Sequence, residues 1–202
     1  MGRPRGDTRE KLVSGAFEAL RTLGYAGASS RAIGRIADVN PALVFYYFES
    51  VDDLLVTALS ESSAERLSRY RAAVEAARSP SDLVATLAEI YRDDLATGHI
   101  TVVSELVAAS ISRLELAERV TALMDPWIQL AERAVQAILS ESPIGEVASA
   151  RSLARAGVVF YLGANLLAQL RPESDDVGAM LEDAAGFARL LDSLVLTSGD
   201  GS

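Results

Sequence analysis

The sequence predicts an all-α protein with two helical domains. Apolar residues recur at spacings of three and four through most of the 202 residues, as they do on one face of an α-helix. No segment shows the regular apolar–polar alternation of a half-buried strand. Glycine and proline fall between the periodic segments, where they end helices. We therefore expect a small N-terminal domain, residues 1–55, and a larger helical domain, residues 56–202.

The first predicted helix covers residues 8–23 and supports the elements that follow it. Gly24 directly after it is a C-terminal stop, because glycine adopts the left-handed backbone that ends many helices. The six residues before the helix are polar and basic, so we expect them to form an arm that does not pack. The buried stripe of the helix is formed by Leu12, Val13, Ala16, Phe17 and Leu20.

Residues 29–55 predict two short helices joined by a three-residue turn and followed by a long helix. The hydroxyls of Ser29 and Ser30 can cap the first helix. Asn40 followed by Pro41 signals the start of the second helix, because the Asn side chain accepts a hydrogen bond from the first turn and Pro needs no donor there. This arrangement is a helix-turn-helix.

The second helix of the motif carries an outward aromatic face. Val44, Tyr47 and Phe48 recur at helical spacing and can pack inward, which leaves Ala42, Phe45 and Tyr46 on the opposite face. In an ordinary helical hairpin these aromatics would belong to a small core. In a helix-turn-helix, by contrast, the start of the second helix contacts base edges in the DNA major groove.

Residues 8–55 resemble the DNA-binding domain of the TetR family of bacterial transcriptional regulators, over about a quarter of the chain. The resemblance implies a DNA-binding regulator, by family default a repressor, that binds a palindromic operator as a homodimer and is released by a small apolar ligand. The matching residues, in order, are Ala16, Leu20, Leu23-Gly24-Tyr25, Ser29-Ser30-Arg31, Val39-Asn40, Tyr47-Phe48, Ser50 and Asp52-Asp53-Leu54. The residues expected to contact DNA are Arg3, Arg5, Ser29, Ser30, Arg31, Asn40, Pro41, Ala42, Phe45, Tyr46 and Tyr47.

The motif departs from the family pattern at a turn residue, a residue pair and the start of the fourth helix. Asp38 replaces the usual turn glycine, and we expect the turn to survive because Asp tolerates left-handed backbone better than most residues. Phe45-Tyr46 replaces the usual Tyr-His pair. Val51 replaces the Lys that usually opens the fourth helix, so a phosphate contact must come from elsewhere. The N-terminal arm can supply it by placing Arg3 and Arg5 in a minor groove, or the arm can be a disordered tail.

The net charge of −9 is unevenly distributed along the chain. Residues 1–50 hold seven basic and five acidic side chains, whereas residues 51–202 hold 12 basic and 23 acidic ones. An acidic bulk domain repels DNA and confines any contact with it to the N-terminal end.

Composition disfavours an enzyme and a membrane protein. There is no Cys, one His, no glycine-rich phosphate loop, and no metal-ligand spacing, so we expect no catalytic residues, metal or cofactor. The absence of Cys fits a reducing cytoplasm. The N-terminus does not resemble a signal peptide, and the longest apolar stretch, residues 156–170, is shorter than a membrane span. We expect a cytoplasmic protein.

Helices are predicted at residues 52–78, 82–96, 101–114, 116–141, 146–171 and 176–196, with breakers that include Gly98, Pro143, Gly145 and Pro172. Large or polar side chains among Ala, Val and Leu are the candidates for an apolar ligand pocket with few polar anchors, although ordinary core packing explains each of them as well. Glu105 is a candidate partner for a cationic ligand, or part of a solvated helix face. The candidate ligand-binding residues are Tyr91, His99, Leu106, Met124, Trp127, Phe160 and Asn165.

The last two predicted helices are apolar on more than one face, so each needs two packing partners. The family resemblance implies that they pair with their copies in a four-helix dimer interface. The candidate interface residues are Phe160, Gly163, Leu167, Leu181, Ala188 and Leu191. The alternative function is a TetR-like helical sensor or interaction protein with weakened or lost DNA binding, suggested by Val51, Phe45 and the acidity.

Overall fold

The computed structural model describes residues 5–140, 149–170, 173 and 176–196, and these form α-helices, one 3-10 turn and short connections. The chain divides into two compact units. The first comprises the described residues up to Glu65 together with Thr97–Leu123, and the second comprises Arg66–Ala96 and the described residues from Met124 onward. The all-α prediction is confirmed. The division by function at residue 55 stays a prediction.

The first unit contains the predicted helix-turn-helix. Its helix α1 packs on α2 and on α6, and its core is closed by side chains from several helices that are almost fully buried, among them Leu12, Leu20, Ile33, Leu54 and Leu106. The elements of this unit are α1 (Arg5–Gly27), α2 (Ser30–Ala37), the 3-10 turn (Pro41–Leu43), α3 (Val44–Tyr47), the first part of α4 (Val51–Ala76), α6 (His99–Ser110) and α7 (Leu114–Ala122).

Helix α1 differs from its prediction at both ends. It begins at Arg5, so the expected non-helical arm is wrong for Arg5 and Gly6, and Arg3 lies outside the described residues. At the other end, Gly24 has φ 68° and ψ 176°, which interrupts the helix as predicted, and the chain resumes helical hydrogen bonding up to Gly27. Because only glycine adopts that backbone readily, Gly24 sets the kink.

The second unit contains the last part of α4, α5 (Pro80–Thr97, which ends one residue beyond it), α8 (Asp125–Leu139), α9 (Ala150–Leu170) and α10 (Asp176–Leu196). Helix α9 packs on α8 and α10. One core cluster joins Tyr91, Ala164, Val177 and Leu181, and another joins α4 to α8 through Val74, Leu130 and Ala134.

The prediction of one helix over residues 116–141 is wrong. Two helices occupy this region, α7 ending at Ala122 and α8 beginning at Asp125, with Pro126 in the first turn of α8. The proline cannot donate the hydrogen bond that a continuing helix requires, so the chain breaks rather than kinks before it. The predicted breakers Pro143, Gly145 and Pro172 lie outside the described residues.

Helix α9 is longer than the apolar stretch identified in the sequence. Its 21 residues include a window with a mean hydropathy of 1.3, long and apolar enough by composition to cross a membrane. One such helix is weak evidence for a membrane protein, since a helix that packs in a core has the same composition. In this protein 17 % of that window is buried, and Asn165 has 0 % exposure.

Candidate nucleic-acid interface

Caps fix both ends of α2 and the start of the second helix of the motif. The Ser29 hydroxyl accepts a hydrogen bond from the Ala32 N–H at 3.2 Å and caps α2, while Ser30 is the first residue of that helix. At the other end Asp38 adopts the left-handed conformation (φ 51°, ψ 49°), which confirms the expectation that Asp serves in place of glycine. The Asn40 side chain accepts from the Ala42 N–H at 3.0 Å, as predicted.

Gly34 allows α2 and the 3-10 turn to approach closely. A Cβ at this position would lie 2.8 Å from Cγ of Pro41 and 2.8 Å from the carbonyl oxygen of Val39. Any side chain would therefore push the second helix of the motif away from the first. Nothing in the sequence marks this glycine as structural, because its spacing inside α2 gives no sign of what packs on it.

The second helix of the motif is the 3-10 turn followed by α3, residues 41–47. Its inward side is buried, with Val44 at 0 % and the following Phe48 at 6 % exposure. Phe45 and Tyr46 are each 62 % exposed, and Ala42 is exposed beside them. Tyr47 is half-buried and packs edge-on against Tyr46, with ring centroids 4.9 Å apart. The predicted division of the two faces is confirmed.

Two exposed cations lie on α2, one helical turn apart. Arg31 and Arg35 form no ion pair within the described part of the chain, so their guanidinium groups are available to phosphate. Arg9 on α1, by contrast, pairs with Glu61 at 2.8 Å and lies over the ring of Phe48. Arg31 and Arg35 therefore carry the positive charge of the motif.

Helix α4 begins directly after the motif with a reciprocal cap. The Asp53 N–H donates to the Ser50 hydroxyl at 3.0 Å, and the Asp53 carboxylate accepts from the Glu49 N–H at 3.2 Å. Val51 is half-buried and lies next to Asp52 and Asp53 in the first turn. The start of α4 therefore has an apolar side chain, Val51, where the family pattern has a cation, and the two carboxylates that follow it match the family pattern.

Tyr25 at the end of α1 contacts α4, α6 and the residue that precedes α7. Its N–H donates to Oε2 of Glu105 on α6 at 2.8 Å, and its hydroxyl donates to Asp52 at 2.6 Å. Its ring lies 5.7 Å from the guanidinium carbon of Arg113, which also pairs with Asp52. Burial raises the pKa of the Asp52 carboxyl above its ordinary value, and the nearby Arg119 cation opposes that shift. Glu105 thus holds the backbone of α1, and its role as a partner for a cationic ligand stays a prediction.

The candidate ligand residues fall in different units. His99 and Leu106 belong to the first unit, where the His99 ring stacks near Phe17 and its Nδ1 lies 3.0 Å from the Ser62 hydroxyl. The other candidates belong to the second unit, in which Tyr91 packs with Ala164. Their placements are as follows: Tyr91 and Asn165 are buried, Met124 and Trp127 are half-buried, and Phe160 is 37 % exposed. A shallow groove elsewhere on α8 is lined by Gln129, Glu132, Arg133, Gln136, Ala137 and Ser140, none of them a candidate.

A buried charged cluster in the second unit was not anticipated from the sequence. Arg66 on α4, 4 % exposed, pairs with Asp93 at 2.8 Å and also with Asp94, which is 3 % exposed and accepts a hydrogen bond from the Tyr161 hydroxyl. Burial raises the pKa of Asp94 to about 7. Asn165, one turn beyond Tyr161, donates to the Tyr161 carbonyl oxygen at 2.7 Å, and the Asn165 Oδ1 has no hydrogen-bond partner among the residues that the structure describes. In the sequence these charges lie in polar stretches typical of a solvated face.

The outer surfaces of α9 and α10 are apolar. Leu167 is 52 % exposed, Gly163 is exposed and Leu191 is half-buried, in keeping with their predicted interface role. Leu181 and Ala188 are buried inside the same unit, at 9 % and 3 % exposure. The prediction that these two residues belong to an outer interface is therefore wrong. The exposed apolar residues of the two helices also include Val159, Leu166, Leu170, Met180, Phe187 and Leu190.

Comparisons with known proteins agree with this geometry. The family model described as bacterial regulatory proteins, tetR family, matches residues 12–58. No curated protein sequence matches the chain. A member of the TetR family from Streptomyces coelicolor is 26 % identical, with a TM-score of 0.67 over 92 % of this chain and 99 % of that one.

Two further solved structures share the fold at lower identity. The transcriptional regulator FadR from Bacillus subtilis, in complex with stearoyl-CoA, has a TM-score of 0.73 at 14 % identity, over 89 % of this chain and 96 % of that one. The reduced form of NemR from Escherichia coli has a TM-score of 0.69 at 19 % identity, over 93 % and 98 %. The similarity to whole regulator chains extends through both units.

Proposed function

We propose, since this chain belongs to the TetR family of bacterial regulatory proteins, that it is a ligand-responsive transcriptional regulator which binds DNA through its helix-turn-helix. Members of that family are transcriptional regulators and not enzymes. The observation that carries the proposal is the pair Phe45 and Tyr46, exposed on a short helix whose other face is buried. A helix of this size fits the major groove, where aromatic edges and a hydroxyl can contact bases.

Arg31 and Arg35 provide the electrostatic part of DNA binding. Both are exposed on α2, and the Ser29 hydroxyl lies at the N-terminus of the same helix, where backbone N–H groups favour a phosphate. Asn40, Pro41 and Ala42 lie at the start of the second helix of the motif and complete the surface. Further DNA contacts are proposed for Arg3, in the N-terminal arm, and for Arg5, the first residue of α1.

We expect the protein to act as a homodimer in the cytoplasm. One short helix reads only a few base pairs, so adequate specificity requires two copies on an inverted repeat with half-sites roughly 34 Å apart. The exposed apolar surface of α9 and α10 is the proposed interface, formed by Phe160, Gly163 and Leu167 of α9 and by Leu191 of α10, with Phe187 and Leu190 in place of Leu181 and Ala188. Repression is the default outcome of operator binding.

The effector is proposed to be a small apolar molecule. The second unit offers an apolar cluster around Tyr91 and Ala164, and the next residue, Asn165, has a buried side-chain Oδ1 without a hydrogen-bond partner among the described residues. The stearoyl-CoA complex of the FadR structure makes a long-chain acyl-CoA the first compound to test. In the dimer, the second helix of each motif (residues 41–47) is the recognition helix, and two conformations differ in the distance between the two recognition helices. A ligand with higher affinity for the conformation that does not fit the operator shifts the equilibrium away from the DNA-binding conformation.

DNA binding is tested by a gel-shift of the full-length protein on its own flanking intergenic DNA, at about 50 and 200 mM salt. A discrete complex on one palindromic segment, weakened steeply by salt, is expected. Arg31→Ala and Tyr46→Ala should weaken it, while Arg151→Ala, an exposed arginine of α9, is the matched control. If the wild type and the three variants bind the DNA with equal affinity, the assignment of the DNA-binding surface to Arg31 and Tyr46 is wrong.

Ligand binding is tested with the fluorescence of Trp127, the one tryptophan of the chain. Stearoyl-CoA is titrated into the protein, with coenzyme A alone as the control, and the protein–operator complex is titrated in parallel. A saturable fluorescence change together with release of the operator supports an acyl-CoA effector. Binding of coenzyme A alone, or no release, would oppose it.

The second candidate is a TetR-like helical sensor or interaction protein that has lost DNA binding. Val51 in place of the usual Lys and the net charge of −9 favour it. A folded dimer that forms no salt-sensitive complex with any flanking fragment supports this candidate, and Val51→Lys is then the first variant to test for recovery.

A further inference from the structure

Two arginines contributed by the α6–α7 region hold the carboxylates at the start of α4. Arg113, which precedes α7, pairs with Asp52, and Arg119 on α7 lies 2.6 Å from Asp53. The carboxylates are about a quarter exposed and the arginines somewhat less than half exposed, so both pairs lie at the surface of the first unit. These contacts span 61 and 66 residues of chain.

Asp53 connects the second of these pairs to the recognition helix. Its carboxylate accepts from the Glu49 N–H, and its N–H donates to the Ser50 hydroxyl. Glu49 and Ser50 are the two residues between Phe48, which ends α3, and the start of α4. Arg119 therefore restrains the carboxylate that fixes the exit of the recognition helix.

The first pair, Arg113 and Asp52, connects the start of α4 to the end of α1. Asp52 receives the Tyr25 hydroxyl at 2.6 Å, and Arg113 contacts both Asp52 and the Tyr25 ring. Since the Tyr25 N–H is already held by Glu105, the end of α1 and the start of α4 are joined to one another and to α6. Two adjacent carboxylates in one helical turn repel one another, and a separate arginine compensates each of them.

We propose that Arg113 and Arg119 are positioning residues for DNA binding, holding Asp52 and Asp53 so that α4 and the recognition helix keep the geometry that fits the operator. The inference rests on the proposed function, and it assigns part of the DNA affinity to side chains that do not touch DNA. With Val51 in place of a phosphate-binding Lys, the start of α4 contributes through its geometry instead.

The test uses the full-length protein and a fluorescently labelled operator fragment, with affinity measured by anisotropy at several salt concentrations. Arg119→Ala is expected to weaken binding roughly threefold, and the double variant Arg113→Ala/Arg119→Ala roughly tenfold. Arg133→Ala is the matched control, because this exposed arginine of α8 also loses one surface ion pair, to Glu75 at 3.7 Å, with the same change in charge. The slope of affinity against salt should not change, since no phosphate contact is lost.

Asp53→Asn distinguishes positioning from simple charge effects. If Arg119 acts by holding Asp53, then Asp53→Asn weakens binding as Arg119→Ala does, and Arg119→Lys recovers most of the affinity. If only the local charge matters, removing a carboxylate tightens binding, and the inference is overturned. A salt slope lower by about one per arginine would also overturn it, because the arginines would then contact phosphate directly.

Failure of the inference and failure of the proposed function give different results. If the wild-type protein binds no fragment, both the proposed function and this inference are wrong. If the wild-type protein binds the operator and both Arg119→Ala and Arg133→Ala bind it equally strongly, the inference is wrong and the proposed function stands. Thermal unfolding of each variant is measured in parallel, and a loss of affinity in proteins that are fully folded at the assay temperature supports the positioning role.

Discussion

Glu105 of α6 accepts a hydrogen bond from the backbone N–H of Tyr25 at 2.8 Å, across 80 residues of chain. This N–H directly follows the kink at Gly24, where the backbone leaves the helical conformation. A partly buried N–H without a partner is costly, so the carboxylate of one helix completes the hydrogen bonding of another. The contact belongs to the first unit and lies beside the Tyr25–Asp52 hydrogen bond.

Replacing Glu105 by Ala should therefore lower the free energy of unfolding. Loss of the acceptor leaves the Tyr25 N–H unsatisfied, which costs about 1–3 kcal/mol. The measurement is urea unfolding followed by circular dichroism. Glu118→Ala, which removes an exposed carboxylate from α7, is the control and should change stability by less than about 0.5 kcal/mol. Equal effects of the two substitutions would show that the hydrogen bond contributes nothing.

Gly24→Ala should destabilise the protein for two independent reasons. The backbone at φ 68° and ψ 176° disfavours any L side chain, and a Cβ there would lie 2.9 Å from Oε2 of Glu105. We expect a loss of about 1–3 kcal/mol or more. Gly157→Ala is the control, since a Cβ at this exposed position of α9 meets nothing within 4 Å and alanine favours a helix. Thermal unfolding should separate the two variants, and equal stability would mean that α1 straightens at no cost.

The local pattern of the helix-turn-helix was sufficient to predict its geometry. Asn40-Pro41 starts a helix for reasons contained in those two side chains, and the burial of Val44 against the exposure of Phe45 follows from helical periodicity. Periodicity was less reliable near chain reversals. Ile36 lies three residues after the buried Ile33, a spacing that favours the same face, but it is 37 % exposed, and α2 ends one residue later.

Contacts between distant segments could not be predicted from the sequence. Glu105 and Arg66 look like solvated residues of polar or amphipathic helices, and only tertiary packing gives them the partners Tyr25 and Asp94. The orientation of α10 was ambiguous for a related reason. A helix that is apolar on several faces gives no indication of which face turns inward, and so Leu181 was assigned outward although it is buried.

Charges on the outer face of α10 should disrupt the proposed dimer. Phe187 and Leu190 are 63 % and 64 % exposed, so Phe187→Glu/Leu190→Glu places two carboxylates on that surface without disturbing the core. Analytical ultracentrifugation should give the mass of a dimer for the wild type and that of a monomer for the double variant. Ile111→Glu is the control, because Ile111 is 84 % exposed in the first unit. A dimer that survives the double variant would place the interface elsewhere.

The buried Asp94 carboxyl should make stability fall as pH rises through the neutral range. Burial raises its pKa from 3.8 to about 7, so between those values the folded protein keeps a proton that the unfolded chain releases. The contribution of this group to the free energy of unfolding is therefore complete below pH 4 and is lost by about pH 7. Between pH 5 and pH 7 the loss is at most about 3 kcal/mol. The groups around it are Arg66, Asp93 and Tyr161.

Urea unfolding of wild type and Asp94→Asn at pH 5 and pH 8 measures this contribution. Asparagine does not titrate, so the wild type should lose more stability than the variant between the two pH values. Glu89→Gln, at an exposed position of α5, removes the same charge and should follow the wild type. The opposite result, a wild type that gains stability over Asp94→Asn at pH 8, would mean that the Arg66 ion pair outweighs the burial of Asp94 and keeps the carboxyl ionised.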